Sequence, residues 1–89
     1  MNMHEYVEQK EVKISELKEN FRLIKEFSLS NEGLNACGNC KDKINTKLLP
    51  AESWFSALYC WKCGSMTIMT HADHMSGNHY DYYKVYGAP

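Results

Sequence analysis

The chain has 89 residues, a formal net charge of −1 and 44% hydrophobic residues. This length accommodates one small domain and leaves no room for a separate catalytic domain. The near-neutral charge and a single arginine, Arg22, disfavour a protein that binds nucleic acid mainly by neutralising phosphates. Chains of this size bury only part of their surface, so a metal or a partner often supplements the core.

The first residues, Met-Asn-Met-His-Glu-Tyr-Val-Glu, do not form the apolar segment found in secretory signals. The densest apolar stretch, residues 54–61, is far shorter than a membrane span. These observations predict a cytoplasmic protein that does not associate with a membrane. In that compartment, paired cysteines bind metal more often than they form disulfides.

Residues 3–27 are predicted to form one long amphipathic helix. Apolar residues recur along it at three- and four-residue spacing, at Met3, Val7, Ile14, Leu17, Phe21 and Ile24. Asn2 is the expected N-cap, and Glu5 completes a capping box. The helix is expected to pack on the rest of the chain or on a partner. A homodimer is the alternative, since antiparallel pairing of two such helices would place Glu11 near Lys25.

All four cysteines fall in two pairs, Cys37-Gly-Asn-Cys40 and Cys60-Trp-Lys-Cys63, separated by 19 residues. We refer to residues 37–40 as the first clip and to residues 60–63 as the second clip. Two such clips can enclose one zinc ion in a tetrahedral four-thiolate site. Neither clip has the β-α-β setting of a redox-active motif, and a disulfide would require an oxidising compartment. The cysteines therefore predict one structural zinc with no coordination position open for catalysis.

Short β segments are predicted around the clips. They comprise residues 54–59, 65–71 and 80–86, with a loop over 44–53 and a turn over 72–78. This order of clips and strands resembles the zinc-ribbon family over residues 34–86. The resemblance implies a small antiparallel sheet and a place among proteins of transcription and translation machinery and small regulators. Gly64 follows the second clip as the ribbon pattern requires, whereas Lys41 replaces the usual glycine after the first clip.

A second candidate site contains His71, His74 and His79, with Asp73 between them and Asp81 beyond. Histidine and carboxylate side chains can bind a second metal or act as acid and base near neutral pH. The same composition is typical of a solvated hairpin tip, which is the interpretation we favour.

Eight of the eleven aromatic residues follow the first clip, which is more than the thin core of one small sheet requires. One aromatic surface is therefore expected to contact a protein partner. The alternative is a ribbon that binds DNA or RNA, in which Trp61 and the tyrosines stack on bases. The lysines available for that alternative are Lys41, Lys43, Lys47, Lys62 and Lys84.

The fold class that follows is α+β, with a long N-terminal amphipathic helix followed by a small antiparallel sheet that carries the four-cysteine zinc site. The predicted domains are an N-terminal helix over residues 1–33 and a zinc ribbon over residues 34–89. No nucleophile–base pair or phosphate-binding loop is recognisable, so the predicted function is a non-enzymatic adaptor or regulator that binds a protein.

Overall fold

The computed structural model describes residues 2–8, 11–30, 36–52, 55–71 and 80–88. Two short helices, α1 (Met3–Tyr6) and α2 (Ile14–Asn20), come first. The strands are β1 (Arg22–Ser30), β2 (Thr46–Leu49), β3 (Ser56–Cys60), β4 (Ser65–His71) and β5 (Tyr80–Gly87). Within the described residues they form one five-stranded antiparallel sheet in the order β1-β5-β4-β3-β2. Neither α1 nor α2 is long and apolar enough to cross a membrane.

The prediction of one long helix over residues 3–27 is wrong, and so is the fold class built on it. Between α1 and α2, Val12 forms a parallel bridge with Ala51, and its N–H donates to the Pro50 carbonyl at 2.9 Å. Phe21 then ends α2 with extended backbone angles, φ −132° and ψ 169°. The chain continues as β1, which pairs with β5 along its length.

Contacts with distant residues explain why β1 is a strand. The Phe27 ring stacks on the Tyr83 ring of β5, with 4.8 Å between centroids and 6° between planes. Pairing with β5 also satisfies the backbone polar groups on the one side of β1 that faces the sheet, since β1 is the end strand. The apolar spacing of Leu23 and Phe27 is compatible with either structure, and these tertiary contacts favour the strand.

Most of the other predicted elements are confirmed. The strands predicted at residues 54–59, 65–71 and 80–86 are confirmed as β3, β4 and β5, with small differences at their ends. The loop predicted over residues 44–53 contains β2, which pairs with β3. The predicted N-cap is also confirmed, because the Asn2 side chain accepts a hydrogen bond from the Glu5 N–H at 2.8 Å. The turn predicted over residues 72–78 lies outside the described residues.

One face of the sheet is covered by the N-terminal helices. The core on this face comprises Met3, Tyr6, Val12, Leu17, Phe21, Ala57, Tyr59, Met66, Ile68 and Tyr86. The Tyr6 and Phe21 rings meet edge to face at 5.6 Å. The N-terminal segment therefore packs on the sheet of its own chain and covers Tyr86, whereas Tyr82 on the same strand stays exposed.

The opposite face of the sheet carries the second clip and the residues beside it. Cys60 is the cross-strand partner of Ser65, and Thr67 is the partner of Val85. Since side chains alternate along a strand, these four point away from the helix-covered core. All four are buried, and this is the face on which the cysteines meet.

Replacing Leu17 of α2 by alanine is expected to lower the free energy of unfolding by about 2–5 kcal/mol, because its side chain is fully buried in the core on the sheet. The same substitution at Leu23, which is 41% exposed, is expected to cost less than about 1 kcal/mol. Urea denaturation followed by circular dichroism measures both losses. Equal losses at the two positions would contradict the burial of the Leu17 side chain and the exposure of the Leu23 side chain.

Candidate metal centre

The structure brings all four predicted ligands together. The Sγ atoms of Cys37, Cys40, Cys60 and Cys63 all lie within 4.8 Å of one another. The Cys37 and Cys63 sulfurs are 3.5 Å apart, and those of Cys40 and Cys60 are 3.6 Å apart. A metal bound to four sulfurs at about 2.3 Å separates them by about 3.8 Å, whereas a disulfide requires about 2.05 Å. All four thiols are free, and their spacing fits a tetrahedral metal site.

The two clips are equivalent backbone turns. The Lys41 N–H donates to the Cys37 carbonyl at 3.0 Å, and the Gly64 N–H donates to the Cys60 carbonyl at 2.8 Å. Lys41 and Gly64 both adopt positive φ, 67° and 76°. Lys41 therefore takes the conformation that the ribbon pattern assigns to glycine, at the steric cost that a side chain incurs there.

The first clip lies directly on the sheet. The Gly38 N–H donates to the Thr67 hydroxyl at 3.1 Å. A Cβ atom at Gly38 would lie 2.8 Å from Cγ2 of Val85, which is closer than such atoms approach. Glycine is required at this position because the backbone of the clip touches β4 and β5.

Asp42 organises the chain that leaves the first clip. Its carbonyl accepts from the Cys37 N–H at 2.9 Å. Its carboxylate accepts from the Asn45 side chain at 2.7 Å and from the Ile44 N–H at 2.8 Å, and these hydrogen bonds lower the pKa of Asp42. The Lys62 ammonium of the second clip lies 3.8 Å from the same carboxylate. Asp42 thus connects the two clips outside the sulfur cluster.

The thiols differ in how readily they lose their protons. Burial raises the pKa of Cys37, but hydrogen bonds, first that from the Ser65 hydroxyl and then those from the Cys40 and Asn39 backbone, outweigh burial and bring it to about 6. Burial raises the pKa of the Cys60 thiol to about 12. Because only thiolates bind metal, a metal must displace the Cys60 proton, and its affinity therefore falls as the pH falls.

The other predicted residues do not form a described site. His71 ends β4, where its backbone pairs with Asp81. His74 and His79 lie outside the described residues. The described residues therefore do not test whether the three histidines come together, and their role stays a prediction.

Two of the five lysines considered for nucleic-acid binding have partners within the chain. The Lys41 ammonium lies 5.6 Å from the centre of the Phe27 ring, and Lys62 faces Asp42. Lys43 and Lys47 are exposed, and Lys84 is half-buried in β5 opposite Glu26 of β1. Trp61, within the second clip, is 52% exposed.

Sequence reasoning missed three residues that support the sulfur cluster: Ser65, Thr67 and Asp42. The signal for the first two is present in the sequence, since a serine and a threonine alternate along β4 directly after the second clip. Hydroxyls on a buried strand face require partners, and the nearby clips supply them. Asp42 carries the signal of a turn residue, because its carboxylate accepts from backbone groups just ahead of it.

Comparisons with known protein families, with curated proteins and with solved structures gave no match. The resemblance to zinc ribbons therefore stays a prediction, whereas the clustering of four cysteine sulfurs on a small sheet is a finding of the structure.

Replacing Lys41 by glycine is expected to give a protein about 1 kcal/mol more stable than replacement by alanine. Both variants lose the contact with Phe27, but only alanine keeps a Cβ atom at positive φ. The difference between the two variants therefore isolates the backbone cost. Thermal and urea denaturation in excess zinc measure it, and an alanine variant as stable as the glycine variant would argue against the left-handed conformation.

Proposed function

We propose that this chain is a zinc-binding protein in which Cys37, Cys40, Cys60 and Cys63 hold one structural Zn²⁺. The observation that carries the proposal is the convergence of four sulfur atoms within 4.8 Å on two equivalent turns. Ligation by thiolates alone suits zinc, with iron as the usual competitor. Four protein ligands complete a tetrahedral ion, so the metal supplies stability rather than a position for substrate.

The local structure around the first clip supports a structural role for the metal. Residues 36–45 form turns and bends without a helix or strand. Their described anchors to the sheet include one hydrogen bond from Gly38 to Thr67 and the close packing of Gly38 on Val85. Zinc binding in such sites contributes on the order of 10 kcal/mol, which is comparable to the whole stability of a small domain.

Native mass spectrometry is expected to find one zinc ion per chain. Replacing Cys60 by serine is expected to abolish zinc binding and to unfold the chain, because the energy of metal binding is also folding energy. Circular dichroism and metal analysis measure both effects. The control is Thr46→Ala, which changes the cross-strand neighbour of Cys60 and keeps all four sulfurs. A folded, metal-free wild-type protein would refute the zinc proposal.

We also propose that the surface around the second clip binds a protein partner, which makes the chain a non-enzymatic adaptor or regulator. A groove of about 460 Å³ separates α1 from β2 and β3, and its apolar lining comprises Val7, Leu49, Tyr59 and Trp61. Ile44, which precedes β2, is 86% exposed; Leu48 of β2 is 64% exposed and points to the other face of the sheet, since it pairs with Leu58. Exposed aromatic and aliphatic side chains of this kind are typical of sites that bind other proteins.

Charge favours an acidic partner. Lys41, Lys43, Lys47 and Lys62 are all exposed around the clips. Of the acids on this surface, Asp42 already accepts hydrogen bonds from Ile44 and Asn45 and faces Lys62, and Glu8 of the groove lies 3.8 Å from His4. A partner segment with acidic residues beside an apolar one complements this surface. The Trp61 ring suits stacking on a base as well as contact with a protein, whereas the exposed aliphatic side chains of Ile44 and Leu48 suit a protein only, which favours a protein partner. The ribbon resemblance associates such a partner with transcription or translation machinery.

Affinity capture from nuclease-treated native lysate is expected to retain a stoichiometric protein partner on the wild-type chain and to lose it on Trp61→Ser. The matched control is Tyr82→Ser, since Tyr82 is 51% exposed but lies away from the groove. Quantitative mass spectrometry measures the retained proteins. A partner that is captured only when nuclease is omitted, or that the Trp61→Ser variant retains, would overturn this proposal. Tight binding to DNA or RNA at low salt would favour the nucleic-acid alternative.

A further inference from the structure

The Ser65 hydroxyl lies between sulfurs of the two clips. Its Oγ atom is 3.0 Å from the Cys63 sulfur and 3.3 Å from the Cys37 sulfur. The residue is 2% exposed, so water does not compete for its hydroxyl. Ser65 is also the first residue of β4 and the cross-strand partner of Cys60, which fixes its backbone next to a third ligand.

The chemistry of the ligands sets the direction of these hydrogen bonds. A metal-bound cysteine is a thiolate and has no proton to donate, so the serine hydroxyl must be the donor. Four thiolates around one divalent cation carry a net charge of about −2, which is costly to bury. A hydroxyl that donates to sulfur spreads this charge, as the Asn39 and Cys40 N–H groups do for Cys37, each at 3.4 Å.

We infer that Ser65 is a positioning residue of the metal centre, which shares its one hydroxyl proton between the Cys63 thiolate and the slightly more distant Cys37 thiolate and thereby tunes zinc affinity and the reactivity of the sulfurs. This inference rests on the proposed zinc site. Outer residues of this kind typically contribute 10–100-fold to metal affinity. Cys63 is an exposed ligand, so the donor also makes its thiolate a weaker nucleophile toward reagents that reach it.

Thr67 provides a matched control on the same strand and the same face. Its side chain is also fully buried and accepts from the Gly38 N–H, a contact with the backbone of the first clip and not with sulfur. Thr67→Val removes that hydroxyl and keeps the shape of the side chain. A variant at Thr67 therefore reports the effect of losing a buried hydroxyl near the clip, without the effect of losing a donor to sulfur.

The experiment compares the wild-type chain with Ser65→Ala, Ser65→Gly, Ser65→Thr and Thr67→Val. Chelator competition measures zinc affinity. The sulfur-to-cobalt charge-transfer band of the Co²⁺-loaded protein measures electron donation by the thiolates. Iodoacetamide, from which an attacking sulfur displaces iodide, measures their nucleophilicity in the zinc-loaded protein.

Ser65→Ala is expected to keep one metal per chain and to lower zinc affinity by about 10–100-fold. Its cobalt band is expected to move to longer wavelength and its alkylation to become faster, because the sulfurs hold their electrons less tightly. Ser65→Gly, which also lacks the hydroxyl, serves if the alanine variant does not fold. Ser65→Thr and Thr67→Val are expected to keep the wild-type band.

An unchanged band and alkylation rate in the variants that lack the hydroxyl would show that Ser65 only fills space, and would overturn the inference while the zinc site stands. A wild-type chain that binds neither Zn²⁺ nor Co²⁺ would overturn the proposed function and the inference with it. The wild-type metal content therefore separates the two failures.

Discussion

The mutual approach of four sulfur atoms to within 4.8 Å is the constraint on which the described structure depends. Ionised thiols at such distances repel one another, and protonated thiols form only weak hydrogen bonds. A bound cation would convert this unfavourable cluster into a set of favourable contacts, one to each sulfur. The first clip needs such a contact, because residues 36–45 contribute no helix or strand of their own. Gly38 and Asp42 place that segment correctly, but a few hydrogen bonds hold it weakly.

Alternation along the central strands couples the metal site to the helix-covered core. On β5, Val85 contacts the first clip and Tyr86 packs under the N-terminal helices. On β3, Cys60 supplies a ligand, and Tyr59 belongs to the helix-covered core. A strand displaced on one face must also move on the other, because neighbouring side chains share its backbone. If a metal fills the site, its loss is therefore expected to propagate through the sheet, and the chain to unfold as one unit.

The sequence-based predictions succeeded where the information is local. The two clips are recognised because their spacing alone lets four sulfurs meet. β4 and β5 are recognised because alternating and β-branched residues favour strands. The sequence does not reveal β1 because Ile24 continues the helical spacing of Leu17 and Phe21, and the partner of Phe27 on β5, Tyr83, is far away in sequence. The need for glycine at position 38 depends likewise on Val85, a neighbour that only the fold supplies.

The position of Trp61 links the two proposals physically. Trp61 lies between two ligands of the second clip, and its N–H donates to the Asn45 carbonyl at 3.0 Å. The metal would fix its backbone from both sides, leaving the indole at the groove. A partner that bound this indole would select the metal-bound conformation. By thermodynamic linkage the partner then tightens metal binding as much as the metal tightens partner binding. Under the two proposals, a structural metal would in this way control the binding of the partner.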